Sequence, residues 1–426
     1  MDVFINLPSP LLYIITYYNP RAIFILPKSD LVRYDWFKLI KINFSLIYEK
    51  TICTNEEIMK VYFDCCKSKP KMICSYDYTI VRSSKGTLKG CGNNNVGQMG
   101  MDRISNITML REIKGIDKKV AEIACGNWHT MIRLQDGRLM ATGFNKYGAL
   151  GAGDNIHRST FTEIFIGKIL KVACGSHHTI IRSEDGTLMG SGMNHQGQLG
   201  LGDYKDRYSF TEIVDLPKNI FEVVCGGGHT IAMLTDGTTM ASGRNIEGQL
   251  GLGDTLNRNK FTKIPSAKNI AKVKCGFFHT IIQLTDGTLM SSGFNRQGQL
   301  GLGDYNHRNI FTTMACPKNI DFVICGFYHT IIKLSNGKLM GCGKNYKGQL
   351  GLGDNKNRSN FSEMDLKNVK EIACGMSHSV VKLTDGTLMS SGSNKLGQLS
   401  LGLYPSKTNK FLLIKELSGA PSCVIL

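Results

Sequence analysis

Apolar positions in this chain come in short runs punctuated by turn residues. In "HTIIQLT" (279–285) and "TLMSS" (288–292) the runs have strand length and are separated by Asp286 and Gly287. Such a pair predicts a two-residue type I′ hairpin turn, which needs positive φ at both positions. The same pairing recurs at Asp136–Gly137, Asp185–Gly186, Asp236–Gly237, Asn336–Gly337 and Asp385–Gly386. No stretch of the same region carries the 10 to 15 residue runs of 3.6 periodicity that a helical solenoid needs.

The runs belong to a repeat. Cysteines at 74, 125, 174, 225, 275, 325 and 374 are spaced by 49 to 51 residues. Six of them continue as CGxxHT or CGxxHS, with His129, His178, His229, His279, His329 and His378, whereas the first copy reads CSYDYT and has Tyr78 in that place. A glycine-rich string follows in each unit, GQLGLGD in its fullest form at 197, 248, 298 and 348. A period near 50 with several short β-prone runs predicts a four-stranded blade, and seven blades predict a closed ring. The expected fold is all-β: a seven-bladed β-propeller over residues 71–417, a small α-helical N-terminal extension over 1–70, and a tail at 418–426.

The strings CGxxHT, DGxLxxxG and NxxGQLGLGDxxxRxxFT resemble the repeat of the regulator of chromosome condensation family, over about four fifths of the chain. One departure is systematic. Where that repeat has a Trp before the glycine that follows the hairpin, this chain has Thr142, Ser191, Ser242, Ser292, Cys342 and Ser391. In this it is similar to repeat proteins of large DNA viruses that infect amoebae. The resemblance implies a binding propeller, and in founding members guanine nucleotide exchange on a small GTPase by an inserted wedge. The uniform spacing leaves no room for a long insertion. Ultraviolet sensing, as in the plant receptor with this repeat, needs a Trp cluster, and only Trp36 and Trp128 exist.

Composition narrows the partners. The chain of 426 residues carries a formal charge of +17, which admits nucleic acid as a partner. Its lysines are scattered without a run of five or six, as on a solvated surface. Of 14 cysteines, seven occupy one repeat position, so they are read as small apolar side chains in a reducing, intracellular compartment, cytoplasmic or nuclear. The N-terminus lacks the features of a secretory signal, and no apolar stretch reaches 18 residues.

Repetition also reassigns the chemically suggestive residues. Cys275 and His279 are about 13 Å apart along an extended strand, too far to share one metal ion. The histidine is read as structural, bonded to nearby loop backbone. The glycine-rich string is followed by another strand-like run instead of a helix, so it lacks the amides of a phosphate loop. Asp154, Asp203, Asp254, Asp304 and Asp354 are read as turn residues bonding their own backbone, with Arg158, Arg207, Arg258, Arg308 and Arg358 pairing locally. No catalytic constellation stands out, and no enzyme activity, cofactor or metal is expected.

Function is sought where the copies differ. Between glycine and histidine the two free positions are Asn127–Trp128, Ser176–His177, Gly227–Gly228, Phe277–Phe278, Phe327–Tyr328 and Met376–Ser377. The residue after the hairpin-following glycine is Phe144, Met193, Arg244, Phe294, Lys344 or Ser393. If these loops share a face, Trp128, Phe144, Arg244, Phe277, Phe278, Phe294, Phe327, Tyr328 and Lys344 form a partner-binding surface of aromatic anchors beside cations. The alternative is that the aromatics pack between blades in place of the absent Trp.

The ends carry two further readings. Leu7, Pro8, Leu11, Leu12 and Ile15, with Val32 and Trp36, are similar to an F-box, which would dock an adaptor of a cullin ubiquitin ligase and make the propeller its substrate receptor. A helical cap packed on the propeller fits the same residues, with Leu11, Ile15 and Tyr18 at helical spacing and Ser29 as a cap. The final Cys423-Val-Ile-Leu fits a prenylation box favouring geranylgeranyl, which alone would anchor weakly to a membrane. The sequence thus predicts a monomeric, non-enzymatic scaffold that binds a protein partner through propeller loops.

Overall fold

A computed structural model describes residues 31, 34–44, 53–66, 72–83, 86–102, 104–265 and 269–414. Twenty-eight strands among them form seven antiparallel four-stranded sheets. In the first blade β1 (Met72–Cys74), β2 (Tyr78–Arg82), β3 (Leu88–Gly92) and β4 (Ile107–Ile113) pair in sequence order. Blades two to seven repeat this order over 120–164, 169–212, 220–263, 270–313, 320–364 and 369–413. Every sheet is made from one continuous stretch of chain, so no strand from one end of the ring completes a sheet at the other.

The hairpin after each second strand differs from the expected one. The Leu134 amide donates to the Arg138 carbonyl and the Gly137 amide to the Leu134 carbonyl, which encloses three residues instead of two. Only the glycine has positive φ, 90° at Gly137 and 87° at Gly287, so the turn is a three-residue loop closed by a glycine bulge. The aspartate contributes its carboxylate: Asp286 Oδ1 accepts from the Thr288 amide at 2.9 Å and Oδ2 from its hydroxyl at 3.0 Å.

Apolar side chains pack between neighbouring blades as well as within them. Ile281 and Leu289 of the fifth blade share a cluster with Val323 and Ile332 of the sixth. Fourth-strand phenylalanines cross to the preceding blade: a Cβ on Gly200 would lie 2.4 Å from the Phe261 ring and 3.2 Å from Ser242 Oγ. At this level Ser242, which stands in the place of the Trp, faces the same glycine as Phe261.

Among the described residues two short helices lie at the N-terminal side, α1 (Trp36–Phe44) and α2 (Asn55–Cys66). Thr54 caps α2 reciprocally, its hydroxyl accepting from the Glu57 amide at 3.3 Å while Glu57 Oε2 accepts from the Thr54 amide at 2.8 Å. Trp36 is fully buried and meets Tyr62 edge to face at 5.1 Å. The pair packs on Leu170 and Phe221 of the third and fourth blades, and Cys53 Sγ lies 3.4 Å from Thr235 Oγ1. That is the face of the Asp–Gly turns. Leu7, Pro8, Leu11, Leu12, Ile15, the expected cap Ser29 and Cys423 all lie outside the described residues. No helix among the described residues is long and apolar enough to cross a membrane.

Candidate functional site: one face of the ring

The repeated histidine and threonine build the ring before anything can bind it. Each imidazole points into the next blade: His129 Nε2 lies 2.9 Å from Thr179 Oγ1, His229 Nε2 3.0 Å from Thr280 Oγ1, and His329 Nε2 3.1 Å from Ser379 Oγ. Each hydroxyl also donates to the glycine-rich loop of the preceding blade, as Thr280 does to the Gln249 carbonyl at 2.8 Å. A hydroxyl has one proton, so the imidazole must be the donor to it, which fixes the proton on Nε2. Loop-backbone bonding of the histidine is therefore corrected: its partner is a hydroxyl about 50 residues away. Burial drives these imidazoles down to about 3, and they stay neutral.

The first blade completes the circle with a different residue. Tyr78 places its hydroxyl 3.1 Å from Thr130 Oγ1, while Thr79 receives His378 Nε2 at 3.0 Å. The glycine of CGxxH exists because the ring lies over it; a Cβ on Gly276 would be 2.0 Å from His279 Cε1. The single blade with a side chain there, Ser75, is the blade with tyrosine for histidine.

Cys275 and His279 diverge, one to the central channel and the other to the blade interface. The channel cavity is about 130 Å³ and is lined by all seven repeat cysteines with Phe277 and Phe327 at one mouth. Burial holds these thiols protonated, pushed up to about 11 at Cys125 and about 12 at Cys275 and Cys374. Eleven cysteines, the seven of the channel among them, are free, and no group of three or more His, Cys, Asp or Glu among the described residues is arranged to hold a metal ion.

The loops that carry the variable positions are rigidly tied. Asn295 Oδ1 accepts from the Leu300 amide at 2.9 Å and its Nδ2 donates to the Asp304 carbonyl at 3.0 Å. Asp304 in turn accepts from the Asn306 amide at 2.9 Å and pairs with Arg308 at 2.5 Å. The same local aspartate–arginine pair recurs at 154/158, 203/207, 254/258 and 354/358, which agrees with the sequence reading.

On this frame all nine predicted residues emerge on one face, at the CGxxH turns and the loops beside them. Eight are half-buried and Lys344 is buried. Phe277 meets Phe278 at 4.3 Å and stacks on Phe327 at 4.9 Å. Phe278 and Phe294 both reach Tyr328, at 6.3 and 5.9 Å. Arg244 lies 4.6 Å over Phe278, and Lys344 4.9 Å over Tyr328. Phe144 stands in a separate group with Tyr147, His157 and His177.

Sequence reasoning missed the residue that links Trp128 to the main cluster. Tyr76 of the first blade lies 4.8 Å from Trp128 and 5.6 Å from Phe327. Alignment of CSYDY with CGxxH would have found it, together with Asp77. Burial raises the Asp77 carboxyl to about 6, against Gln398 Nε2 at 3.1 Å and the nearby Lys344. Tyr346, 4.6 Å from Lys344 Nζ, and His307, stacked on Phe294 at 4.9 Å, were also overlooked.

Comparison with known proteins places this ring among relatives. The profile of the RCC1-like domain matches residues 66–316, and that of the regulator of chromosome condensation (RCC1) repeat matches 336–381. The ultraviolet-B receptor UVR8 of Arabidopsis thaliana is 29% identical over 195 residues, 46% of this chain and 33% of that protein. The X-linked retinitis pigmentosa GTPase regulator of Mus musculus is 32% identical over 186 residues, 43% of this chain and 14% of that protein. The matched segments thus span a third or less of these relatives. Prp20p of Saccharomyces cerevisiae, a structure described with its binding to Gsp1p and histones, superposes with a TM-score of 0.72 at 19% identity, covering 87% of this chain and 92% of that one. Yeast RCC1 (Prp20) bound to Kap60 gives 0.71 at 19% identity, covering 82% and 86%. At such identity the shared property is the fold.

Proposed function

This chain belongs to the RCC1-like domain family, and from that premise we propose that it is a non-enzymatic interaction protein whose CGxxH face binds a protein partner. The observation that carries the reading is the cluster of Tyr76, Trp128, Phe277, Phe278, Phe327 and Tyr328, drawn from four blades at the positions where the copies differ. Positions that only build blades repeat; these do not. Aromatic residues beside Arg and Lys at the centre of a face have the make-up of interface hot spots. Yeast Prp20, described with Kap60, Gsp1p and histones, is a precedent for protein binding by this fold. The likeness to the ultraviolet-B receptor does not extend to light sensing, since the two tryptophans lie apart, Trp36 in the helix pair and Trp128 beside Tyr76.

The test is quantitative affinity capture from the native cell with the full chain and with Phe278→Ala/Tyr328→Ala. Truncating a hot-spot aromatic costs about 2 kcal/mol, so each change should weaken partner recovery by roughly thirtyfold. An unchanged set of captured proteins, with the far-ultraviolet dichroism of the variant intact, would overturn the proposal.

A further inference from the structure

The charges of this face are unevenly paired. On the opposite face and the blade flanks several cations have carboxylate partners: Lys118 with Asp136 at 2.8 Å, Lys338 with Glu363 at 3.0 Å, and Arg138 with both Asp136 and Glu163. On the aromatic face most carboxylates are already taken by cations, Asp77 being an exception that is bonded to Gln398. Glu247 is held by Arg244 at 2.6 Å, and the loop aspartates are held by their own arginines. On the loops beside the cluster stand Arg296, Lys347 and Lys356, and Lys395 holds the equivalent loop position of the seventh blade; none of the four has a carboxylate within salt-bridge distance among the described residues. The face therefore shows apolar rings edged by uncompensated positive charge. Two large apolar side chains continue it outward, Tyr305 and Leu256, at 50% and 66% exposure.

Two macromolecular ligands would suit cations beside aromatics, and the ring geometry separates them. Single-stranded nucleic acid binds by laying bases on bare aromatic planes. Here several rings already have a plane occupied: Phe277 and Phe327 stack on each other with 21° between them, Phe294 stacks on His307, and Arg244 covers Phe278. Ring edges and gaps remain, which suit aliphatic side chains inserted from a polypeptide. Resting on the interaction face proposed above, we propose that its partner is an acidic protein segment carrying apolar anchors, whose carboxylates meet Arg296, Lys347 and Lys395 while its anchors enter the aromatic cluster. Complementary charge of this kind raises the association rate and sets specificity.

The test uses the full chain with three fluorescent probes: a Glu-rich peptide with spaced leucines, the same peptide with Gln for every Glu, and an oligo-dT of similar length. Anisotropy titrations are run at low and at high salt. The acidic peptide should bind at least about tenfold more tightly than either other probe, and lose about tenfold when salt shortens the screening length below the charge spacing. Arg296→Glu/Lys347→Glu/Lys395→Glu should abolish binding, and Lys118→Glu/Lys338→Glu on the other side should leave it intact. Equal binding of the Gln peptide, equal loss in both reversal variants, or no binding of the acidic peptide overturns the inference. Tightest binding of oligo-dT, lost on charge reversal, overturns it in favour of nucleic acid. The two readings fail separately. If Phe278→Ala/Tyr328→Ala removes cellular partners and the charge reversal does not, the interaction face stands and the acidic partner falls; if neither variant removes them, both fall.

Discussion

Mild acid should unfold this ring, and the interblade histidines set where. Six imidazoles, His129, His178, His229, His279, His329 and His378, are at most 1% exposed and titrate near 3 in the folded chain. In the unfolded chain each titrates near 6.5. The folded value is depressed for a base, so the unfolded state binds more protons between the two values. The penalty is absent above about pH 6.5 and grows as pH falls toward 3. At pH 5 it amounts to about 2 kcal/mol per histidine and about 12 kcal/mol for six, which matches the whole stability of an ordinary domain. Asp77, raised to about 6, works in the opposite sense and returns only about 1 kcal/mol at pH 5. The aspartates of the loop pairs are depressed and release their share only below about pH 4. A cooperative loss of near-ultraviolet dichroism is therefore expected between about pH 5.5 and 4.5, with a net uptake of about five protons per molecule from these groups, about six at the imidazoles less about one released by Asp77. The check is reversible acid titration at constant ionic strength with parallel proton counting, repeated on His229→Gln, which should take up about one proton fewer. A native-like thermal transition retained at pH 4.5 would refute the argument.

Two substitutions probe the same clamp from its other side. Thr280→Val keeps the shape but orphans the His229 Nε2 proton and the Gln249 carbonyl, both buried, and should cost about 2 to 5 kcal/mol in urea unfolding, whereas Thr280→Ser should cost about 1. Equal losses in the two variants would show that the hydroxyl is not what matters. Gly276→Ala sets a methyl group 2.0 Å from the His279 ring and 2.7 Å from the Gly326 carbonyl. Expelling the ring should cost about 3 to 5 kcal/mol, and a change below about 1 kcal/mol in the unfolding free energy would place the ring elsewhere.

The fold was legible because a β-hairpin repeat is written in local terms, and seven copies average out accidents at any one position. What escaped had causes of a different reach. The Asp–Gly pairs suggested a two-residue turn because a dipeptide is what the eye isolates; the loop counts a third residue, Gln135 before Asp136, and needs left-handed backbone at glycine alone. The partner of His279 is Thr330, 51 residues on, and no local reading joins them. Yet the pair was visible as the dipeptide His–Thr, whose two members serve opposite neighbours. Of the site, the variable positions could be found by comparing copies. Tyr76 was passed over because its copy lacks the glycine and histidine that define the alignment. Which cations stay unpaired depends on neighbours in three dimensions, beyond what a charge count conveys.

The first and last blades meet without exchanging a strand. The Thr79 hydroxyl accepts from His378 and donates to the Gln398 carbonyl, Gln398 Nε2 donates to Asp77, and the Leu110 amide donates to Ser400 Oγ at 2.8 Å. The Thr79 contacts are of the kind that joins the other blades, whereas Gln398–Asp77 and Leu110–Ser400 are particular to this junction and add only two non-covalent bonds to it. The circle is therefore indifferent to where the polypeptide was cut. Linking Ile414 to Met72 and opening the chain at another junction would leave each sheet whole, and the order in which blades are encoded is a property of the gene that the folded ring does not record.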